Sequence, residues 1–282
     1  MPSLASELTP PGLVQQVKRP IGVFDSGVGG LSVLKALRAE LPFEDFVYVA
    51  DSGYAPYGER SESFVVARSR AIARYLQGHD GLGIKALVIA CNTATAAAVQ
   101  LLRHEHGGLP IIGVEPALKP AVALSQTKRI GVMATRGTLA SQKFKALKDS
   151  LAGQAEFICQ PCDGLADAIE RNDTIKTIAL CTEYTRAIGQ FGLNKGQVDT
   201  LVLGCTHYPF ASHHLQMLLG PDVALVDNGE PVARQTRRVL SPIEDSGQPG
   251  QLVLMSTGAP DALATAAQRW LGVRMDVQTL TI

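Results

Sequence analysis

Two stretches of this chain place a cysteine at the end of an apolar run and follow it with hydrogen-bonding residues. The first is Ala86-Leu87-Val88-Ile89-Ala90-Cys91-Asn92-Thr93. The second is Thr200-Leu201-Val202-Leu203-Gly204-Cys205-Thr206-His207. A buried thiol is inert packing, whereas a thiolate near a helix N-terminus or a cation is reactive. Two thiols on opposite sides of one ligand suit stereoinversion at a carbon bearing a weakly acidic proton. One thiolate removes the proton, and the opposite thiol returns one. Each cysteine then needs a neighbour that adjusts its protonation. Asp25 is the candidate beside Cys91 and His207 the candidate beside Cys205, with Glu170 able to serve the Cys205 side as well. Read alone, Glu170 is a solvated helix carboxylate.

The elements around these residues must bring them together. The apolar runs before the cysteines read as buried parallel strands. Asn92, Thr93 and Thr206 are helix-capping types, so a helix is expected directly after each cysteine. In an open α/β sheet, ligands bind beyond the carboxyl ends of the strands, where both thiols would stand. Ile21-Gly22-Val23-Phe24-Asp25 reads as a further strand, followed by the glycine-rich turn Ser26 to Gly30 and a helix with Leu31, Leu34 and Leu37 inward. The turn resembles a dinucleotide-binding loop, but Ser32 breaks the G-x-G-x-x-G pattern. Phe46 to Ala50 is another strand, and it leads into a loop over 51–60 that contains Pro56-Tyr57-Gly58. An irregular loop of that length in a compact domain is usually functional. A helix is predicted over Ser61 to Leu76, with Phe64, Val65, Ala67, Ile72 and Tyr75 available to its apolar face. Another is predicted over Gly164 to Glu170.

The chain then repeats itself. Ile130-Gly131-Val132 echoes Ile21-Gly22-Val23, Phe157 echoes Phe46, Cys205 echoes Cys91, and Glu230-Pro231 echoes Glu115-Pro116. The offset drifts only from 109 to 115 residues, far too long for a solenoid repeat. The expected architecture is two pseudo-symmetric open-sheet α/β domains with the active site in the cleft between them. Residues 1–19 are expected to be a flexible N-terminal extension. Residues 20–115 with 226–282 would form the first domain and residues 116–225 the second, with linkers near Pro116 and Asp227-Asn228-Gly229. The tail, from Gln251 to Leu271, would add a strand and a helix to the first.

Composition bounds the rest. Among 282 residues, 46% are hydrophobic and 18% charged, with a formal net charge of zero. That balance is globular and offers no field for nucleic acid or an anionic membrane. No apolar run reaches the roughly 18 residues that span a bilayer, and the start, Met1 to Glu7, lacks the pattern of a secretory signal. Five cysteines, an odd number, do not suggest a disulfide framework, so a reducing cytoplasm fits best. Cys159-Gln160-Pro161-Cys162 is a C-x-x-C without a second ligand pair, and His213-His214 has no suitably spaced carboxylate. No metal site is expected.

Taken together, Asp25 to Leu31, Asp51 to Gly58, Cys91-Asn92-Thr93, Cys205-Thr206-His207 and Asp227-Asn228 resemble the cofactor-independent aspartate/glutamate racemase family, its glutamate racemases in particular. The resemblance runs from about Ile21 to Leu271. It implies interconversion of L- and D-glutamate with no cofactor, neither pyridoxal phosphate nor metal, supplying D-glutamate for peptidoglycan. Cys91 and Cys205 match the family's acid/base cysteines, assisted by Asp25, Glu170 and His207. Asp25, Ser26, Pro56, Tyr57, Gly58, Asn92, Thr93, Thr206 and His207 match substrate-binding positions, joined by Thr135 and Thr138. Hydroxyls and helix N-termini there suit an amino acid's carboxylates. The N-terminal extension departs from the core pattern, and some relatives so extended are activated by a peptidoglycan precursor. Oligomeric state stays open, a homodimer included. Two other readings also stay open: a relative acting on aspartate, another amino acid or a hydantoin, and a binding protein that has kept the cleft, including one that inhibits a partner such as DNA gyrase.

Overall fold

The computed structural model describes residues 19–78, 83–242 and 247–282. The expected N-terminal extension therefore lies outside the described residues, apart from Arg19, whose guanidinium donates to the carbonyls of Gly83 and Ile84.

The chain forms β1 (Ile21–Asp25), β2 (Phe46–Ala50), β3 (Ala86–Ile89), β4 (Ile111–Gly113), β5 (Arg129–Ala134), β6 (Glu156–Pro161), β7 (Thr200–Gly204), β8 (Ala224–Val226), β9 (Leu252–Ser256) and β10 (Val277–Thr279). Among the described residues, one sheet has the order β10-β9-β2-β1-β3-β4 and the other β6-β5-β7-β8. All paired strands are parallel. The order β2-β1-β3-β4 is that of β6-β5-β7-β8, and the registers agree too. Ile21 sits opposite Phe46 and Ala86, as Ile130 sits opposite Phe157 and Thr200. The sequence echo is thus an echo of topology. The tail joins the first sheet, as expected, through β9 on β2 and β10 on β9.

These strands read as unbroken apolar runs because both faces of each sheet are covered. In the first sheet Phe46, Tyr48 and Ala50 pack into one buried cluster, and Val47 and Val49 into the cluster on the other face. In the second, Met133, Leu201 and Leu203 enter one cluster, and Ile130, Val132 and Val202 the other. Period-two alternation sends neighbours to opposite faces, and each is buried there.

The helices and the loop over 51–60 follow expectation with three departures. Leu31–Glu40 buries Leu31, Leu34 and Leu37 as expected. In Glu62–Gln77, capped by Ser61, Ala67 is exposed while Arg68 is buried. The loop over 51–60 is not wholly irregular, since Ser52–Tyr54 and Tyr57–Glu59 are short 3-10 turns. After Cys91 a helix begins at once, Asn92–Glu105. After Cys205 it does not: a 3-10 turn over Tyr208–Ala211 intervenes, and the α-helix spans Ser212–Leu219. Pro209 has no N–H to donate, and the i to i+3 bonds Tyr208 N–H to Cys205 and Phe210 N–H to His207 tighten the turn instead.

Candidate active site

Cys91 and Cys205 stand just past the carboxyl ends of β3 and β7, the matched interior strands of the two sheets. Both line one cavity of about 180 Å³, an order of magnitude more than the ~10–15 Å³ one water needs. The cysteines are 5% and 7% exposed, so each reaches the cavity through a narrow face.

On the first side, Cys91 caps the helix Asn92–Glu105, its sulfur accepting from the Ala94 N–H at 3.5 Å. The thiol also donates toward the Ser26 hydroxyl at 3.9 Å. Burial pushes this thiol well above its ordinary value, and the nearby Asp25 carboxylate pushes the same way. Asp25 closes β1, fully buried behind the cavity wall. It accepts from the Gly30 N–H at 2.6 Å and from the Ser26 and Thr206 hydroxyls at 3.4 Å. Burial raises its pKa, His207 opposes that, and Glu170 adds to it.

On the second side, the Cys205 sulfur lies 3.8 Å from His207 Nδ1, and His207 Nε2 lies 2.7 Å from Glu170 Oε2. Burial alone would lower the His207 pKa. The hydrogen bonds to Cys205 and Glu170, and their charges, outweigh it and hold the ring well above its ordinary value. For Glu170 burial raises the pKa, but the hydrogen bond and charge of His207, the Val28 N–H and the Ser52 hydroxyl bring it below the ordinary value. Glu170 ends the helix Leu165–Glu170 and reaches across to the first half, accepting from Val28 N–H at 2.9 Å and from Ser52 Oγ at 3.3 Å. It is a cross-cleft anchor, not a solvated helix carboxylate, and its side chain is only 20% exposed.

This arrangement explains the glycine-rich turn. A Cβ on Gly27 would overlap the Glu170 carboxylate, and one on Gly29 the His207 ring. In sequence the turn resembles a dinucleotide-binding loop with a broken pattern; in the fold its glycines admit a carboxylate–imidazole pair from the opposite half.

Of the other expected residues, Ser26, Pro56, Tyr57, Gly58, Asn92, Thr93, Thr135 and Thr206 all line the cavity. Thr93 and Thr135 share a hydroxyl contact at 3.1 Å across the two halves. Thr138 does not line it; buried behind, its hydroxyl accepts from Thr135 Oγ1 at 2.9 Å. Sequence reading passed over Ser52, Ala55, Ala166, Asp167 and Arg171, which complete the lining. Arg171, tied to Asp167 at 2.8 Å, is the guanidinium among the lining residues; an exposed arginine beside a helix end carries no signal that would single it out.

All five cysteines are free, and the Cys162 thiol donates to the Gln160 carbonyl at 3.3 Å. Among the described residues no three His, Cys, Asp or Glu side chains gather as a metal site, and no helix is long and apolar enough to cross a membrane.

Comparison with known proteins agrees with this geometry. A family model described as Asp/Glu/Hydantoin racemase matches residues 21–236. The glutamate racemase of Ralstonia nicotianae is 49% identical over 229 residues, 81% of this chain and 80% of its own. That of Methylococcus capsulatus is 45% identical over 262 residues, 91% of this chain and 93% of its own. Among solved structures, Francisella tularensis glutamate racemase in complex with D-glutamate superposes with a TM-score of 0.79 at 26% identity, over 94% of this chain and 98% of that one. Escherichia coli glutamate racemase in complex with L-glutamate and the activator UDP-MurNAc-ala gives 0.78 at 29% identity, over 93% and 98%. Fold and cleft are those of an amino-acid racemase, an isomerase. The chain belongs to the Asp/Glu/Hydantoin racemase family and, within it, groups with the glutamate racemases.

Proposed function

We propose that this racemase inverts glutamate by two-base proton transfer, with Cys91 and Cys205 acting on opposite faces of the α-carbon and no cofactor taking part. The observation that carries this reading is the pair of thiols at matched strand ends, one from each sheet, lining one cavity. In the resting state Cys91 is the protonated partner, since burial and Asp25 both favour its neutral form. The His207 imidazolium, held by Glu170, is the counter-ion for a Cys205 thiolate. Cys205 then takes the α-proton from one enantiomer while Cys91 delivers a proton to the other face. For the opposite enantiomer the roles exchange, with Asp25 supporting Cys91 as base. Ser26, Asn92, Thr93, Thr135, Thr206 and the main chain of Pro56–Gly58 hold the two carboxylates and the amino group, with Thr138 behind Thr135.

The division into residues 20–115 with 226–282 and residues 116–225 belongs to the same proposal. The chain passes from the first sheet to the second between β4 and β5 and returns after β8, which supports that division. The proposal extends to further assignments: supply of D-glutamate to peptidoglycan synthesis, activation by a precursor of the UDP-MurNAc-ala kind, and action in the cytoplasm, where thiols stay reduced. Circular dichroism of L- and D-glutamate solutions incubated with the protein, with and without that precursor, tests the racemisation and its activation. Loss of optical activity from both is expected. Loss from aspartate or a hydantoin alone would move the substrate, and binding without turnover would favour a non-catalytic role.

A further inference from the structure

The loop that carries Pro56, Tyr57 and Gly58 to the cavity is held from behind by residues that do not line it. Asp51, at its start, is fully buried. Its Oδ1 accepts from Arg68 Nη2 and from the Thr257 hydroxyl, each at 2.8 Å. Its Oδ2 accepts from Arg68 Nε at 3.0 Å and from the Tyr57 phenol. Arg68 also donates to the Ile282 carbonyl at 2.9 Å and lies over the Tyr54 ring at 3.7 Å. The Thr257 hydroxyl accepts in turn from the Gly53 N–H at 3.2 Å. Main chains touch here as well. A Cβ on Gly53 would sit 2.6 Å from the Thr257 carbonyl oxygen, and one on Gly258 would sit 2.9 Å from the Gly53 nitrogen.

Thr257 follows β9 and lies beyond residue 236, where the family match ends. The Tyr57 phenol is engaged by Asp51, so what this loop offers a ligand is chiefly its main chain. We infer that Thr257 and Asp51 are positioning residues for the substrate: Thr257 fixes the Asp51 carboxylate, and Asp51 acts through Tyr57 to set the Pro56–Gly58 backbone against the ligand. The inference rests on reading that backbone as part of the glutamate site.

A loop that holds groups remote from the α-carbon contributes equally to ground and transition states. Loosening it raises KM and leaves kcat in place. Because the enantiomers have equal free energies, kcat/KM must fall by one factor in both directions.

The test is steady-state racemisation of L- and D-glutamate by the full chain and two variants at Thr257, a half-buried position. Thr257→Val keeps the side chain's shape and removes the hydroxyl, whereas Thr257→Ser keeps the hydroxyl. The Val variant is expected to raise KM about 3- to 10-fold for both enantiomers, the scale of the hydrogen bond by which that hydroxyl holds Asp51, with kcat within about twofold. The Ser variant is expected to restore the wild-type KM. Asp51→Asn, monitored by thermal melting, is expected to move KM the same way and further. An active wild type with unchanged KM in Thr257→Val, or a loss confined to kcat, overturns the positioning role alone. A wild type that leaves both enantiomers untouched overturns the glutamate reading and this role with it.

Discussion

His207 and Glu170 couple protonation to stability. Folding raises the His207 pKa above the ordinary 6.5, so its contribution is full below about pH 6.5 and is lost as pH rises through the raised value. Folding lowers the Glu170 pKa from 4.5, so its contribution is present above about pH 4.5 and is lost as pH falls through the lowered value. The ion pair is therefore fully formed between those limits. Glu170→Gln is expected to cost about 3 kcal/mol at pH 6, the scale for breaking a largely buried pair. That deficit should shrink on acidification below about pH 4.5, as read by urea unfolding of both proteins across pH. A deficit independent of pH would show that Glu170 acts through packing alone. At this scale the sequence was most readable for the cysteines, because their type and strand-end placement occur twice. It was least readable for Asp51 and Arg68. An arginine within an amphipathic helix reads as solvent-facing, and only the fold shows the buried carboxylate that it meets.

The turn between β1 and its helix shows how an element can be recognised while the reason for its glycines stays hidden. Strand, glycine turn and helix were all legible, because glycine punctuation and a leucine period are local signals. Why the glycines are there was not, since the side chains that need the space come from 143 and 178 residues further along. Gly29→Ala is expected to displace His207 and lower racemisation at least about 10-fold, because a 1 Å misplacement in a catalytic site can cost far more. Gly107→Ala, where an added Cβ meets nothing within 4 Å, is the matched control and is expected to keep full activity. Equal activity in the two would remove the steric explanation. The delayed helix after Cys205 is a related case. Thr206 is a capping type, but Pro209 and the 3-10 turn place His207 where Glu170 can reach it.

At the scale of the molecule, duplication supplies the cleft: two sheets with one strand order and one register present equivalent strand ends, each bearing a thiol. Sequence landmarks sufficed for this pairing because echoes at a nearly constant offset survive where detailed contacts do not. They did not reveal the bridges across it, Ser32 Oγ to the Thr206 carbonyl at 2.8 Å and the Phe210–Trp270 stack at 4.2 Å, which depend on packing between the halves. A ligand in the cleft touches both halves, so glutamate at one hundred times its Kd is expected to add about 2.7 kcal/mol to stability. It should also slow alkylation of Cys91 and Cys205, leaving the core thiols Cys162 and Cys181 as they were, which mass spectrometry of labelled peptides reads directly. The most direct test of the mechanism is proton NMR of L-glutamate and then D-glutamate in D₂O with wild type, Cys91→Ser and Cys205→Ser. The wild type is expected to erase the α-proton signal and form the other enantiomer. Each serine variant is expected to lose racemisation by about 10²-fold or more, the scale of one general acid or base. Full racemisation by either variant alone would contradict the two-thiol mechanism.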